Sequence, residues 1–162
     1  MAFLNIQIIG DAELKAKLTA MPQKVAQSLY RKVTELALML KNYVKTQKLS
    51  GQVLQHRTGH LQQSIHSDST ASASSVVGRV FSAAPMPYAA IHEFGGVIPA
   101  HIIRAKNALA LHFMSGGKDV FAKYVNMPDV NMPARSYMRS SLADNKDKII
   151  EGMKDAVSEG LK

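Results

Sequence analysis

The chain has no cysteine and no tryptophan. Without cysteine there can be no disulfide framework, zinc–thiolate site, iron–sulfur cluster or thiol nucleophile. No apolar run approaches 18 residues, so no membrane span is expected. The first residues, Met1 to Lys15, lack a basic n-region and a long apolar h-region, so no standard secretion signal is expected either. Acids are also scarce, with 12 Asp/Glu against 20 Lys/Arg and a net charge of +8. What remains is ordinary for a soluble globular protein: 162 residues, 46% hydrophobic, 20% charged and 6% aromatic. A single domain over 1–162 is expected, and a chain of this length buries roughly 70% of its unfolded surface without needing staples.

The positive charge is local. Residues 14–67 carry nine Lys/Arg against one acid, Glu35, whereas the C-terminal 140–162 is slightly acidic. Such a patch suits nucleic acid, an anionic surface or the acidic face of a protein partner, and charge alone does not choose among them.

Periodicity predicts an α+β fold: an antiparallel sheet of about four strands packed against a long amphipathic N-terminal helix and a C-terminal helix. Phe3–Ile9 alternates as a short strand, and Asp11 caps a helical segment over Ala12–Ala20. A second helix, opening near Pro22 and running to about Gln47, completes the helical region 12–48. In it Val25, Leu29, Val33, Leu36, Leu40 and Tyr43 form one apolar stripe. Lys24, Arg31, Lys32, Lys41, Lys45 and Lys48 lie mostly off that stripe and form a basic face. Leu49-Ser50-Gly51 breaks the helix, Gln52–Arg57 reads as a loop, and Thr58 can cap a short turn.

The strand-rich region is 65–127. Its Ser/Ala run, Ser67–Ser75, reads as a hairpin tip or mobile loop before a strand over Val76–Ser82. A hairpin extension over 97–127 turns at Ser115-Gly116-Gly117-Lys118. The last helix spans 136–162, with Asp144, Asp147, Glu151 and Asp155 along one face.

No catalytic, cofactor or metal site emerges. His56 and His60 have i, i+4 spacing, but Thr58-Gly59 interrupts any helix there and no acid supplies a third ligand. His92-Glu93 begins like H-E-x-x-H and is cut off by Gly95-Gly96. Ser115-Gly116-Gly117-Lys118 lacks the first glycine and following helix of a phosphate loop, and no nucleophile elbow is present. An enzyme is therefore not expected. A basic nucleic-acid-binding protein using residues 24–57 is the alternative, although no zinc finger, helix-turn-helix or aromatic RNA-binding pattern accompanies it.

Three segments taken in order are more telling. Thr58-Gly59-His60-Leu61-Gln62-Gln63-Ser64-Ile65 reads T-G-x-L-x-x-S-I, and Tyr88–Gly96 reads Y-A-x-x-x-E-F-G-G. Pro133-Ala134-Arg135-Ser136-Tyr137-Met138-Arg139 reads P-A-R-x-aromatic-hydrophobic-R. Together, after a long amphipathic helix, they resemble the neck and tail-completion proteins of tailed phages: the tail-component family of lambda-like phages and the related virion-morphogenesis proteins of Mu-like phages. The chain departs from the short form of that family by an insertion between Gly96 and Met132, and by Ser136 where proline is frequent.

The resemblance implies a structural protein of the head–tail joint, of tail-completion or tail-terminator type, found in the virion and assembled in the host cytoplasm. Its copies would form a ring, typically sixfold, that meets tail-tube and head-connector proteins while the genome passes nearby without being read. It implies structural or interface roles for Thr58, Gly59, Leu61, Tyr88, Glu93, Phe94, Gly95, Gly96, Pro133, Arg135, Tyr137 and Arg139. Phe94 would enter the core and Gly95-Gly96 would turn the chain behind it. Arg135 would donate a fork of hydrogen bonds to a carboxylate such as Glu93, or to carbonyls, within or between subunits. The basic helix face and the acidic last helix would form complementary halves of a heterologous contact.

Overall fold

A computed structural model of the chain describes residues 5–7, 23–55, 58–72, 74–83 and 86–161. The expected helix over Ala12–Ala20 lies outside these residues, as do Pro22, His56 and Arg57. The class is α+β, with a long N-terminal helix, antiparallel strands and C-terminal helices. The strands divide between a three-stranded sheet and a two-stranded ribbon.

The long helix, α1, spans Gln23–Tyr43 and continues as wider π-helical turns over Val44–Gln52. Its apolar stripe is buried at Val25, Leu29, Leu36, Ala37 and Leu40, and then at Val44. The sheet beneath it has β1 (Asn5–Gln7), β2 (Ile65–Ser72) and β3 (Ser75–Ser82), with β3 central and both neighbours antiparallel to it. Helix α2 (His60–Ser64) leads directly into β2. The Ser/Ala run is thus not a loop: Ser67–Ser72 pairs residue by residue with Ser75–Val80. An edge strand needs only its backbone bonds on one side, and here Asp68 also accepts two hydrogen bonds from Arg79 directly opposite, at 2.8 and 2.7 Å.

After α3 (Pro87–Phe94) the chain leaves on a long ribbon and returns to α4 (Met138–Asp144) and α5 (Lys146–Gly160). The single terminal helix expected over 136–162 is broken at Asn145. The Asn145 amide donates to the Ser141 carbonyl at 2.9 Å, a local side-chain bond that competes with the helical ladder. Leu36, Leu40, Val44, Leu49, Ile65, Val80, Tyr137, Met138 and Ile149 form one core, so α1, the sheet and both last helices share it. Each large side chain so buried stabilises the fold by about 1.5–3 kcal/mol. A smaller cluster, Val25, Leu29 and Ala156, ties α5 to the start of α1. Among the described residues no helix is long and apolar enough to cross a membrane.

The ribbon is built from β4 (Gly96–Ile98) with β9 (Val130–Met132), β5 (His101–Arg104) with β8 (Tyr124–Met127), and β6 (Leu111–Ser115) with β7 (Lys118–Ala122). Its tip is the expected two-residue turn, Gly116-Gly117, with φ of 58° and 78°. The inner pairs keep one register, from Gly96 opposite Met132 to Arg104 opposite Tyr124. The outer pairs restart at Leu111 opposite Ala122, which leaves residues 105–110 facing Lys123 alone. Beyond its root the ribbon packs only on itself, and all four residues of β5 are exposed.

Close approach of α1 to β3 depends on Gly78, where an added Cβ would lie 2.8 Å from Val33 Cγ1 and 3.2 Å from Ala37 Cβ. At Gly152, facing Leu36, the same atom would make ordinary contacts at 3.4 Å. In urea denaturation Gly78→Ala should lose about 1–3 kcal/mol through overpacking. Gly152→Ala should stay within about 1 kcal/mol of wild type, its contact offset by better helix propensity.

Candidate functional site

The Glu93 side chain is 0% exposed and reaches from α3 to the start of α4. Its Oε2 accepts the backbone N–H groups of Tyr137 and Met138, each at 2.9 Å. Its Oε1 accepts the Arg139 N–H at 3.0 Å, the Ser136 hydroxyl at 2.6 Å and Arg139 Nε at 3.1 Å. Arg139 Nη2 also donates to the Glu93 carbonyl at 2.7 Å. The carboxylate therefore acts as the N-terminal cap of a helix that begins more than forty residues later in sequence. Tyr137, which holds the capping position in the chain, offers no side-chain cap of its own. Three helix-end N–H groups that would otherwise lack partners are satisfied at once, at the helix end where negative charge is favoured.

Arg139 forms this fork, in place of the expected Arg135. Helix α4 starts at Met138, so Arg139 sits in its first turn, beside the carboxylate. Arg135 lies before the helix, where its backbone N–H bonds the His92 carbonyl at 2.6 Å and its side chain is exposed. Phe94 is also placed differently from expectation: it is 53% exposed and lies beneath the Arg139 guanidinium, 5.0 Å from ring centroid to Cζ. The residue before the glycine turn thus covers the fork from outside instead of filling the core. Ser136 carries a function that sequence comparison marked only as a departure from proline, since proline has no hydroxyl to donate to Glu93.

Gly95 shows why the turn behind Phe94 needs glycine. Its φ is 73°, and an added Cβ would meet the Ala134 backbone nitrogen at 2.9 Å and the Met132 carbonyl at 3.0 Å. Gly96 follows with φ 146° and starts the ribbon opposite Met132. Pro133 is exposed in the extended segment that returns from the ribbon. Tyr137 is wholly buried and its hydroxyl has no hydrogen-bond partner among the described residues. Burial, reinforced by the Glu93 charge, pushes that phenol's pKa up.

Beside this clip lies an open groove of about 1030 Å³. Residues of all three sequence motifs line it: Thr58, Gly59 and Leu61, then Tyr88 and His92, then Arg135, with Leu49 and Leu54 at its floor. Thr58 does not cap α2; Gly59 takes the capping position with φ 74°, and Leu61 turns its side chain toward the core. Tyr88 packs edge-on against His92, with centroids 6.3 Å apart. Burial, with the Arg135 charge nearby, lowers the His92 pKa, so the imidazole is neutral near pH 7.

The basic face is less uniform than the sequence suggests. Lys24 and Arg31 are exposed, Lys41 and Lys45 half-buried, and Lys32 pairs with Glu35 at 2.9 Å. Lys48 is buried and pairs with Asp144 at 2.6 Å, over the ring of Tyr43, whose hydroxyl donates to the same carboxylate at 3.0 Å. The Lys48 ammonium and then the Tyr43 hydroxyl hold the Asp144 pKa below the ordinary carboxylate value. Lys48 therefore staples the end of the long helix to α4 and does not belong to a solvated face.

Removing the buried carboxylate leaves its donors unpaired inside the protein. Glu93→Ala should lower unfolding free energy by about 3–5 kcal/mol. Arg139→Ala, whose side chain is 55% exposed, should cost about 1 kcal/mol or less. Chemical denaturation of the two variants beside wild type checks the order; equal losses would contradict the capping role of Glu93.

In comparisons with known proteins, the family model for phage virion morphogenesis proteins matches residues 36–158. No curated protein and no solved structure matches the chain.

Proposed function

The chain belongs to the phage virion morphogenesis family, and from that premise we propose that it is a structural component of the head–tail joint, of tail-completion or tail-terminator type. Copies of it form a ring, typically sixfold, between the tail tube and the head connector. The observation that carries this reading is the contrast between a well-packed body and the ribbon that leaves it. The body closes its own core and satisfies its buried carboxylate internally. The ribbon instead carries large apolar side chains into solvent, among them Leu109 at 100%, Phe121 at 70% and Met114 at 69% exposure. An isolated two-stranded ribbon is at best marginally stable in water, so one of this length suits a part completed by other subunits.

The surface charge fits the same role. Lys24 and Arg31 remain available on α1, while Asp147, Glu151, Asp155 and Glu159 are exposed on α5. Different faces of opposite sign are what a heterologous, ring-closing contact uses. The genome passes this ring without sequence-specific contact. Direct nucleic-acid binding by residues 24–57 is the weaker reading, because Lys48 and Lys32 are already engaged by acids within the chain.

Native mass spectrometry and negative-stain imaging test the proposal on the full chain, alone and mixed with the tail-tube and connector proteins of its phage. The expected result is a closed ring in at least one mixture. A monomer in every mixture that binds duplex DNA with steep salt dependence would overturn it.

A further inference from the structure

The ribbon and the groove are complementary features of one chain that the chain cannot bring together by itself. The groove lies at the ribbon's root: Arg135 and His92 line it, and the Arg135 N–H is bonded to the His92 carbonyl at 2.6 Å. The ribbon starts two residues after Phe94, and no ribbon residue lines the groove. At a rise of about 3.3 Å per residue, the paired segments from Gly96 to Ser115 span about 40 Å. A compact body made of the residues outside the ribbon is roughly 35 Å across. The tip therefore reaches across one neighbouring copy while lying a full ribbon length from its own groove.

The chemistry also matches. One face of the outer ribbon presents Leu111, Phe113, Val120 and Ala122, because Leu111 opposes Ala122 and Phe113 opposes Val120. The groove offers an apolar floor in Leu49, Leu54 and Leu61, with Tyr88 at its side. Asp119, beside the tip, has a largely exposed carboxylate, and Arg135 forms no ion pair with another described residue. An acid at the tip and a cation at the groove thus carry opposite charge to the same contact.

We propose that the outer ribbon, Leu111–Ala122, docks in the Leu49/Leu54/Leu61/Tyr88 groove of the next copy of this chain. The contact is heterologous, so repetition closes a ring. It rests on the ring reading above and supplies its subunit contact. The five-residue register change at 105–110 separates a root paired in one register from a tip paired in another, so the docking half is a distinct unit of the ribbon.

The absence of native cysteine makes a direct test clean. In the full chain, Met114→Cys at the tip and Gln55→Cys at the groove, treated with a short bismaleimide, should give a ladder of covalent multimers. Either substitution alone should give no species beyond a dimer. A second variant replaces residues 105–123 by Asn-Gly, joining Arg104 to Tyr124, which already face each other across the ribbon. It should keep the wild-type unfolding transition and lose the ring, running as a monomer. A ring that persists in the shortened variant, or a wild-type ring whose double-cysteine form yields no ladder, overturns the docking contact while leaving the ring itself standing. A wild-type chain that forms no ring with any tail or connector partner overturns the ring reading, and this contact with it.

Discussion

A wholly buried carboxylate must be surrounded by donors, and Glu93 obtains them from a single short stretch of chain. Ser136, the N–H groups of Tyr137, Met138 and Arg139, and the Arg139 guanidinium all converge on its two oxygens. An ion left uncompensated in the interior costs several kcal/mol, whereas this one is matched by charge-assisted hydrogen bonds and a helix end. The consequence is positional. Glu93 lies just before the ribbon and its donors just after it, so one interaction fixes both ends of the excursion from Gly96 to Met132. The Gly95 turn against Ala134 and the Arg135–His92 backbone bond reinforce the same junction.

Because the two ends are pinned together, the body does not depend on what lies between them. Its core joins α1, the β1–β3–β2 sheet, α4 and α5 without any ribbon residue. A long insertion between fixed ends costs little closure entropy, and its apolar residues are free to serve contacts outside the body. The clip and the ribbon are in this sense one device: a rigid socket that holds an extended arm at a set place. The groove opens at the same junction, so the surface that receives an arm and the root that sends one out are positioned by the same hydrogen bonds.

Much of the body was legible in the sequence because its signals are local. The stripe from Val25 to Leu40 has helical period, and Gly116-Gly117 between alternating residues is turn chemistry. The Ser/Ala strand was not legible, since an edge strand of small polar residues has no apolar alternation and is defined by its partner β3. Lys48 looked like surface charge because the reading assumed α-helical turns. From Val44 the turns widen, and the side chain lies inward over Tyr43 against Asp144. At the site, the three motifs were recognised and Glu93 was named as an acceptor. The choice between Arg135 and Arg139 required knowing that α4 begins at Met138. The five-residue register change in the ribbon has no sequence signature, because it depends on how many residues each strand leaves unpaired.

Hydrogen–deuterium exchange on the free chain and on the assembled ring tests the central claim most directly, since it separates a finished body from an unfinished arm. In the free chain the amides of Tyr137, Met138 and Arg139 should be protected as well as those of α1, while amides over 101–122 exchange rapidly and gain protection on assembly. Fast exchange at 137–139 in a chain whose α1 remains protected, or a ribbon that exchanges equally in the free and assembled forms, would contradict the account.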